Sequence, residues 1–281
     1  MNNITIVIIA HKSSKTVLDF IKKIPKNYKI IIVDNSNDVA LNKKIKKFKN
    51  IKLKYMKNEG YGAGINYARK YVKTKYLFVF SPDVLGVNKN FLEEFVKAIK
   101  SKIQFGVLGP RFLNVSQKSH RQSNIKDPIG EINAISGSAM LIDTKAFDDI
   151  RGFDKKIFLF FEENDFCGRL CKKKYKIFQI NKAKATNPKG VKKGVVKIKD
   201  KNIEKLQNFY GWHFMWSKYY VYKKKNNNLI AIITFTPILI RLILRTFISY
   251  LFSSNKQKYN MRLQGLVTSM IGMRSYKRII L

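Results

Sequence analysis

Residues 4–10 read Ile-Thr-Ile-Val-Ile-Ile-Ala, an apolar and largely β-branched run without alternating polar positions. A strand that lacks alternation is buried on both faces, as in a parallel sheet sandwiched by helices. Working outward from it, further strands are predicted at Tyr28–Val33, Ile51–Met56 and Tyr76–Phe80. Helices are predicted between them, over Lys15–Ile24, Leu41–Phe48 and from Gly60 to about Tyr71. Ser13 or Ser14 can cap the first helix and Pro25 stops it, while Asn88 can cap another over Phe91–Lys100. Short apolar runs alternating with amphipathic helices define an α/β domain.

Beyond Gln104–Gly109 the pattern loosens. Arg111–Pro128 is polar and without period, which suits a long loop near a site. Glu131–Asp143 reads as a strand interrupted by Gly137, and Lys176–Ile180 as another. Between them lies an acidic stretch in which Glu162, Glu163 and Asp165 lead into a helix over Asp165–Lys172, with Phe166 and Leu170 one turn apart on its inner face. In a chain with 18 acidic residues against 56 basic ones, such a cluster suits a general base held at a helix entrance. The alternative is an acidic cap on a surface helix. Asn187–Gly194 is a basic, glycine-containing loop.

The formal net charge of +38 admits nucleic acid, an anionic membrane surface or an anionic nucleotide as partner. The lysines are spread along the chain with no arginine-rich tail or recognised nucleic-acid module, so nucleic acid is not expected as a partner. Cys167 and Cys171 are expected to be free thiols, with a disulfide as the alternative. The N-terminal stretch lacks a basic n-region and a cleavage site, so it reads as a strand and not as a signal peptide.

The tail differs in kind. Lys201–Tyr222 reads as a long aromatic helix, Lys223–Asn228 as a polar break, and Leu229–Phe252 as apolar except for Arg241 and Arg245, with Pro237 inside. The uninterrupted apolar part, Leu229–Ile240, is short for a span needing about 20 residues. An in-plane, hairpin-like membrane anchor is therefore expected, a helix packed on the domain or on a second subunit being the alternative. Residues 1–200 form the α/β unit in this reading, and 201–281 a helical, hydrophobic and basic extension. Oligomeric state is left open.

Ligands of open α/β sheets bind outside the carboxyl ends of the strands. Three polar signals fall there: Asp34–Asp38, Gly60–Asn66 and Ser81–Asp83. The glycine run is as compatible with a tight turn as with a binding loop, and Asp83 as compatible with a capped turn as with a cation ligand. His11 reads as a structural histidine near the nucleotide; His120 and His213 have no partner visible in the sequence.

The order of these motifs resembles the inverting family-2 glycosyltransferases of GT-A fold, within them the bacterial rhamnosyltransferase-like branch. The resemblance runs from Ile4 to about Gly190 and rests on Ile32-Val33-Asp34-Asn35-Ser36, Asn58-Glu59-Gly60-Tyr61-Gly62-Ala63-Gly64-Ile65-Asn66, Ser81-Pro82-Asp83-Val84, Gly109-Pro110, Ser136–Ile142, Gly152-Phe153-Asp154 and Phe158–Arg169. It implies a GT-A nucleotide-binding domain with a mostly parallel sheet. It implies a nucleotide-sugar site formed by Ala10, His11, Asp34, Asn35, Asn58, Gly60, Gly64, Asn66, Ser81, Pro82 and Asp83, with Asp34 on the base. It places Mg²⁺ or Mn²⁺ on Asp83 and Asn187, the base on Glu163 beside Glu162, and acceptor contacts at Gly137, Gly152, Phe153, Asp154, Asp165 and Arg169.

The sequence departs from the family pattern at Ala10-His11-Lys12, at Ser81, at the Glu162-Glu163 pair and at Asn187, where a histidine is usual. The implied reaction moves a sugar, rhamnose from dTDP-rhamnose in this branch, to a lipid-linked or cell-surface glycan at the cytoplasmic face of the membrane. The alternatives are a UDP-hexose or UDP-galactofuranose donor, or a catalytically impaired scaffolding subunit. Lys189, Lys192 and Lys193 are candidate cations for the leaving diphosphate.

Overall fold

The computed structural model describes residues 3–116, 122–187, 200–252 and 257–278. The first half follows the expected alternation: β1 (Ile4–Ala10), α1 (Ser14–Ile21), β2 (Lys29–Asp34), α2 (Val39–Ile45), β3 (Ile51–Tyr55), α3 (Tyr61–Arg69), β4 (Tyr76–Phe80) and α4 (Lys89–Lys100). Asn88 caps α4 by accepting from Phe91 N–H at 2.9 Å. Asp38, not foreseen as a cap, starts α2 by accepting from Leu41 N–H at 3.1 Å.

The second half holds β5 (Val107–Phe112), β6 (Ile129–Glu131), β7 (Ala139–Asp143), α5 (Thr144–Asp149), α6 (Glu162–Lys172) and β8 (Ile177–Ala185). Together these build an eight-stranded sheet of order β3-β2-β1-β4-β7-β5-β8-β6. β3, β2, β1 and β4 run parallel, β7 runs against β4 and β5, and β6 runs against β8. The expected single strand over Glu131–Asp143 is two strands on different neighbours, separated by the loop that carries Gly137. Arg111 and Phe112 belong to β5 and not to a loop. β5 has a register shift at Pro110/Arg111 against β8, which lets a proline sit inside the sheet.

The unalternating β1 is buried at every position. Ile4, Ile6, Ile8 and Ala10 pack with α1, α2 and α4 on one face; Val7 and Ile9 pack with α3, α5 and α6 on the other. The parallel strands β1, β2, β3 and β4 therefore bring their carboxyl ends to one polar rim, where the site lies.

The extension is three helices, α7 (Asp200–Asn226), α8 (Asn228–Phe252) and α9 (Gln257–Met270). The expected polar break shrinks to Asn227, whose φ is 116°. α8 runs as one helix through Pro237, so the hairpin-like geometry is not what forms. α9 was not foreseen. α7 seals against the domain: Trp212 and Trp216 pack on Ile157, and Leu206 and Phe209 pack on Phe158. α9 approaches α7 so closely that a Cβ on Gly265 would lie 2.2 Å from the Trp212 carbonyl oxygen, so only glycine fits there. Trp216 Nε1 then donates to the Met273 carbonyl at 3.0 Å.

Candidate active site

Four strand ends and two helix starts meet at the rim. At the β1–β3 end the side chains form a hydrogen-bonded chain. His11 Nδ1 and Asn35 Oδ1 lie 2.7 Å apart, Asn35 Nδ2 donates to Asn58 Oδ1 at 3.3 Å, and Asn58 Oδ1 accepts from Gly60 N–H at 3.2 Å. His11 is exposed at the mouth, with its ring nitrogen satisfied by Asn35. Asp34, by contrast, is fully buried. One of its oxygens accepts from Ser36 N–H (2.8 Å) and Ser36 Oγ (2.6 Å), the other from Asp38 N–H (2.6 Å). Asp34 shapes the turn that faces a ligand and does not present its own carboxylate. Ala10 is buried beneath it, its carbonyl accepting from Asn35 N–H.

The glycine run serves packing as much as binding. Gly60 has φ 106° and ψ 170°, a conformation reserved for glycine, and a Cβ there would meet the Phe158 carbonyl oxygen at 2.2 Å. Gly64 lies against Ile9. Asn66 grips the next loop with both ends of its amide, donating to the Phe153 carbonyl (2.9 Å) and accepting from Phe153 N–H (2.8 Å). Gly152 gives Asn66 room for that grip. Phe153 is buried and stacks on Phe166 with ring centroids 4.2 Å apart. Asn66, Gly152 and Phe153 thus hold the acidic loop to α3.

Asp154, Asp165 and Arg169 are also committed to structure. Lys224 of α7 donates to Asp154 (2.7 Å) and pairs with Asp165 (2.6 Å); Tyr220 donates to Asp154 at 2.9 Å. Arg169 pairs with Asp165 at 2.7 Å and donates to the Ile150 carbonyl. Lys224 and its hydrogen bond, with help from Lys156 N–H and Tyr220, outweigh burial and keep the Asp154 carboxyl below its usual range. These ion pairs clamp the extension onto the acidic loop.

Glu162, Glu163, Asp83, Ser81 and Tyr61 do converge. The Tyr61 hydroxyl donates to the Gly137 carbonyl at 2.8 Å. Burial raises its pKa, a hydrogen bond with Ser81 works the other way, and the charges of Glu162, Asp83 and Glu163 raise it further. Gly137 lies where a Cβ would touch Glu163 Cβ at 3.8 Å, so the pair faces the 136–138 loop. Ser81 N–H donates to the Ser138 carbonyl, tying that loop to the turn through Pro82 that carries Asp83. Burial pushes the Asp83 carboxyl up. The Leu85–Thr186 bridge brings Asn187 alongside this turn, with its Nδ2 donating to Ser136 Oγ at 3.3 Å.

The acid pair opens α6 after two bulky residues in left-handed conformation, Phe160 (φ 67°) and Phe161 (φ 63°). Such residues cost about 1–3 kcal/mol each and concentrate at functional sites. Glu162 is buried, and its Oε2 has no hydrogen-bond partner among the described residues. Burial, reinforced by the charge on Glu163, pushes its pKa to about 8. Glu162 therefore stays protonated at neutral pH. This raised pKa sets a pH dependence of stability. The unfolded chain loses the Glu162 proton near its ordinary value while the folded chain keeps it, so stability falls from about pH 4.5 to about pH 8 and then levels off. Glu162→Gln should flatten that fall and be the more stable protein at pH 8, as denaturant unfolding at pH 5 and pH 8 will show.

Two contributors from the tail were invisible in the sequence. Tyr210 on α7 packs edge-on to Phe160 at 5.7 Å, and its pKa is raised by burial and then by the charge of Asp83. Arg278 places its guanidinium 3.9 Å over the Phe158 ring, within electrostatic reach of Glu59. His213 is held by Ser275 and the Lys277 carbonyl, and burial pulls it down to about 4, so it is neutral and structural. Cys167 and Cys171 are free. Lys189, Lys192 and Lys193, and His120, lie outside the described residues.

Comparison with known proteins agrees with this geometry. The glycosyl transferase family 2 model matches residues 5–158. A curated relative, the low-salt glycan biosynthesis hexosyltransferase Agl10 of Haloferax volcanii, is 23% identical over 191 residues; the match takes in 60% of this chain and 62% of that protein's length. Among solved structures, the mannosyltransferase PcManGT of Pyrobaculum calidifontis, in complex with GDP-Man and Mn²⁺, superposes with a TM-score of 0.59 at 9% identity, covering 95% of this chain and 86% of that one. S. aureus TarS 1-349 with UDP-GlcNAc superposes at 0.57 and 14% identity, covering 99% and 94%. Rim geometry, fold and the family match over more than half its length lead to one statement: this chain belongs to glycosyl transferase family 2.

Proposed function

We propose that the chain is an inverting hexosyltransferase that uses a nucleotide sugar, with Glu163 as the general base. The observation that carries this reading is the meeting of Glu163 and the buried Glu162 with Asp83 around Tyr61 at the carboxyl rim of a family 2 sheet. Glu163 takes the proton of the acceptor hydroxyl, whose oxygen bonds to the anomeric carbon while the bond to the nucleoside diphosphate breaks on the opposite side. Protonated Glu162 keeps a second negative charge away from that carboxylate. His11, Asn35 and Asn58 line the nucleotide end. Resemblance supports dTDP-rhamnose as donor, whereas the two solved structures named above hold GDP-Man and UDP-GlcNAc, so donor choice is a matter for a panel.

Asp83 fits a divalent cation. It is a desolvated carboxylate whose pKa burial raises, near the acid pair and Tyr61. No cluster of three or more His, Cys, Asp or Glu suited to a metal occurs among the described residues, so the diphosphate must complete the shell, as it does for Mg²⁺ at phosphate sites. When bound, Mg²⁺ or Mn²⁺ would neutralise the charge growing on the leaving diphosphate. Asp83 would hold it, with the Asn187 amide oxygen available alongside. Calorimetric titration with UDP, GDP and dTDP should show binding that Mn²⁺ strengthens at least about tenfold, a gain that Asp83→Ala abolishes. Equal binding with and without cation in both proteins would remove the metal from the account.

We further propose that α8 lies in the plane of the cytoplasmic membrane surface and delivers the domain to a lipid-linked glycan acceptor. At 25 residues it is long and apolar enough to cross. Yet Ala231, Phe235, Leu242 and Ser249 form a stripe buried along its length, part of it packed on α7 and α9, and its other faces expose Ile233, Leu244, Phe247 and Leu251. Crossing would immerse Arg241 and Arg245, at about 2.5–3.5 kcal/mol each near a helix centre. Removing the tail after α7 would strip α9 from Trp212, so surface substitutions make the cleaner test. Ile233→Gln, Leu244→Gln, Phe247→Gln and Leu251→Gln combined should leave the melting temperature unchanged and abolish flotation with anionic liposomes. Retained flotation would place the contact elsewhere.

A further inference from the structure

The sugar acceptor is not accounted for by the residues expected to hold it, because Asp154, Asp165, Arg169 and Phe153 are consumed by packing and ion pairs. A different surface stands beside the acid pair. Phe160 meets Tyr210 at 5.7 Å and Phe214 at 5.9 Å, and Phe161 meets Phe214 at 5.2 Å. Tyr210 and Phe214 are one turn apart on α7 and so share a helix face. Phe161 directly precedes Glu162 and Glu163, and the Tyr210 hydroxyl lies within the field of Asp83. Despite its two aromatic neighbours Phe214 stays 41% exposed. The left-handed backbone at Phe160 and Phe161 is what this arrangement requires of the loop.

We infer that Phe160, Phe161, Tyr210 and Phe214 form the acceptor subsite, on which a pyranose ring of the acceptor stacks its C–H face. The proposal rests on the glycosyl-transfer reading above. A pyranose carries axial C–H bonds on one face and hydroxyls around its edge. Aromatic faces gain from the first, and carboxylates such as Glu163 and Asp83 from the second. An alkyl chain would use the rings alone and leave the adjoining carboxylates facing hydrocarbon, which is costly. The wall therefore fits a sugar ring and not the lipid part of an acceptor. It also gives α7 a direct place in the site: the extension completes the acceptor side that the sheet domain leaves open.

Saturation-transfer NMR on the full chain tests this, with methyl glucoside, galactoside and mannoside as probes, hexanol as the apolar control and UDP, GDP or dTDP present. At least one glycoside should receive saturation at its ring C–H protons. That signal should fall about fivefold in Phe214→Leu, which keeps apolar packing but removes the ring. Should Phe214→Leu melt early, Tyr210→Leu decides in its place. No saturation of any glycoside, an unchanged signal in a folded variant, or saturation of hexanol alone would overturn the subsite. Release of nucleoside diphosphate from donors reads the transfer reaction separately. Absent release with glycoside signals that collapse in the variant would sink the transfer reading and keep the subsite.

Discussion

Glu163→Gln is expected to lower turnover about 10²–10⁴-fold while leaving nucleotide affinity within a factor of about two. The amide keeps the shape of the carboxylate and the helix-start position but cannot take a proton. Two features make Glu163 the member of the pair to lose. Glu162 is buried with its pKa at about 8, so it already holds a proton when an acceptor must be deprotonated. Glu163 neighbours Gly137 and so faces the 136–138 loop at the rim. Removing its charge also relieves Glu162, whose pKa should drop in the variant. If Glu162→Gln were the crippled protein and Glu163→Gln near normal, the two roles would be reversed.

Gly60→Ala is expected to be the most damaging single methyl group in the site. The new Cβ would sit 2.2 Å from the Phe158 carbonyl oxygen and 2.8 Å from its Cα, both backbone atoms that cannot swing aside. It would also hold a non-glycine residue at φ 106°. Backbone strain of about 1–3 kcal/mol and overpacking of a similar size add to about 2–6 kcal/mol, a large part of a typical domain's stability. Because Phe158 begins the segment that ends in the acid pair, any relief by movement displaces Glu162 and Glu163. A fall in the urea midpoint together with lost activity is the expected result. A variant of parental stability and activity would mean that the 158–163 segment is not seated on the glycine.

The sheet was legible wherever one element explained its own pattern. β1, β2 and β4 carry apolar runs, β3 alternates through Lys52 and Lys54, and these strands and α1 to α4 form within a few residues of their expected ends. β5 was not legible because the pattern loosens beyond Gln104–Gly109 and Arg111 opens a polar stretch that reads as a long loop. The strand exists because a register shift accommodates Pro110 and because Asn181 Oδ1, Gln179 Oε1 and the Ser123 carbonyl accept from a buried Arg111. Pro237 likewise reads as a break, but packing on α7 and α9 carries α8 through it. In the site, the sequence singled out Asp83, Glu162, Glu163, Asn35 and Asn58, and the fold brings them to one rim. What it could not tell is that Gly60 also seats the 158–163 segment and that Asp154 and Asp165 also pair with Lys224 of the extension. Tyr210 and Phe214 could not be found from the chain alone, since nothing local joins them to residues some fifty positions earlier.

Acceptor-dependent release of nucleoside diphosphate, over dTDP-rhamnose, UDP-galactofuranose, GDP-Man, UDP-GlcNAc and other UDP-hexoses with Mg²⁺ or Mn²⁺, bears most directly on the central claim. One donor should be turned over, with the divalent cation required and with Glu163→Gln inactive. Tight nucleotide binding with no release from any donor would contradict it and leave a scaffolding subunit as the reading of this chain.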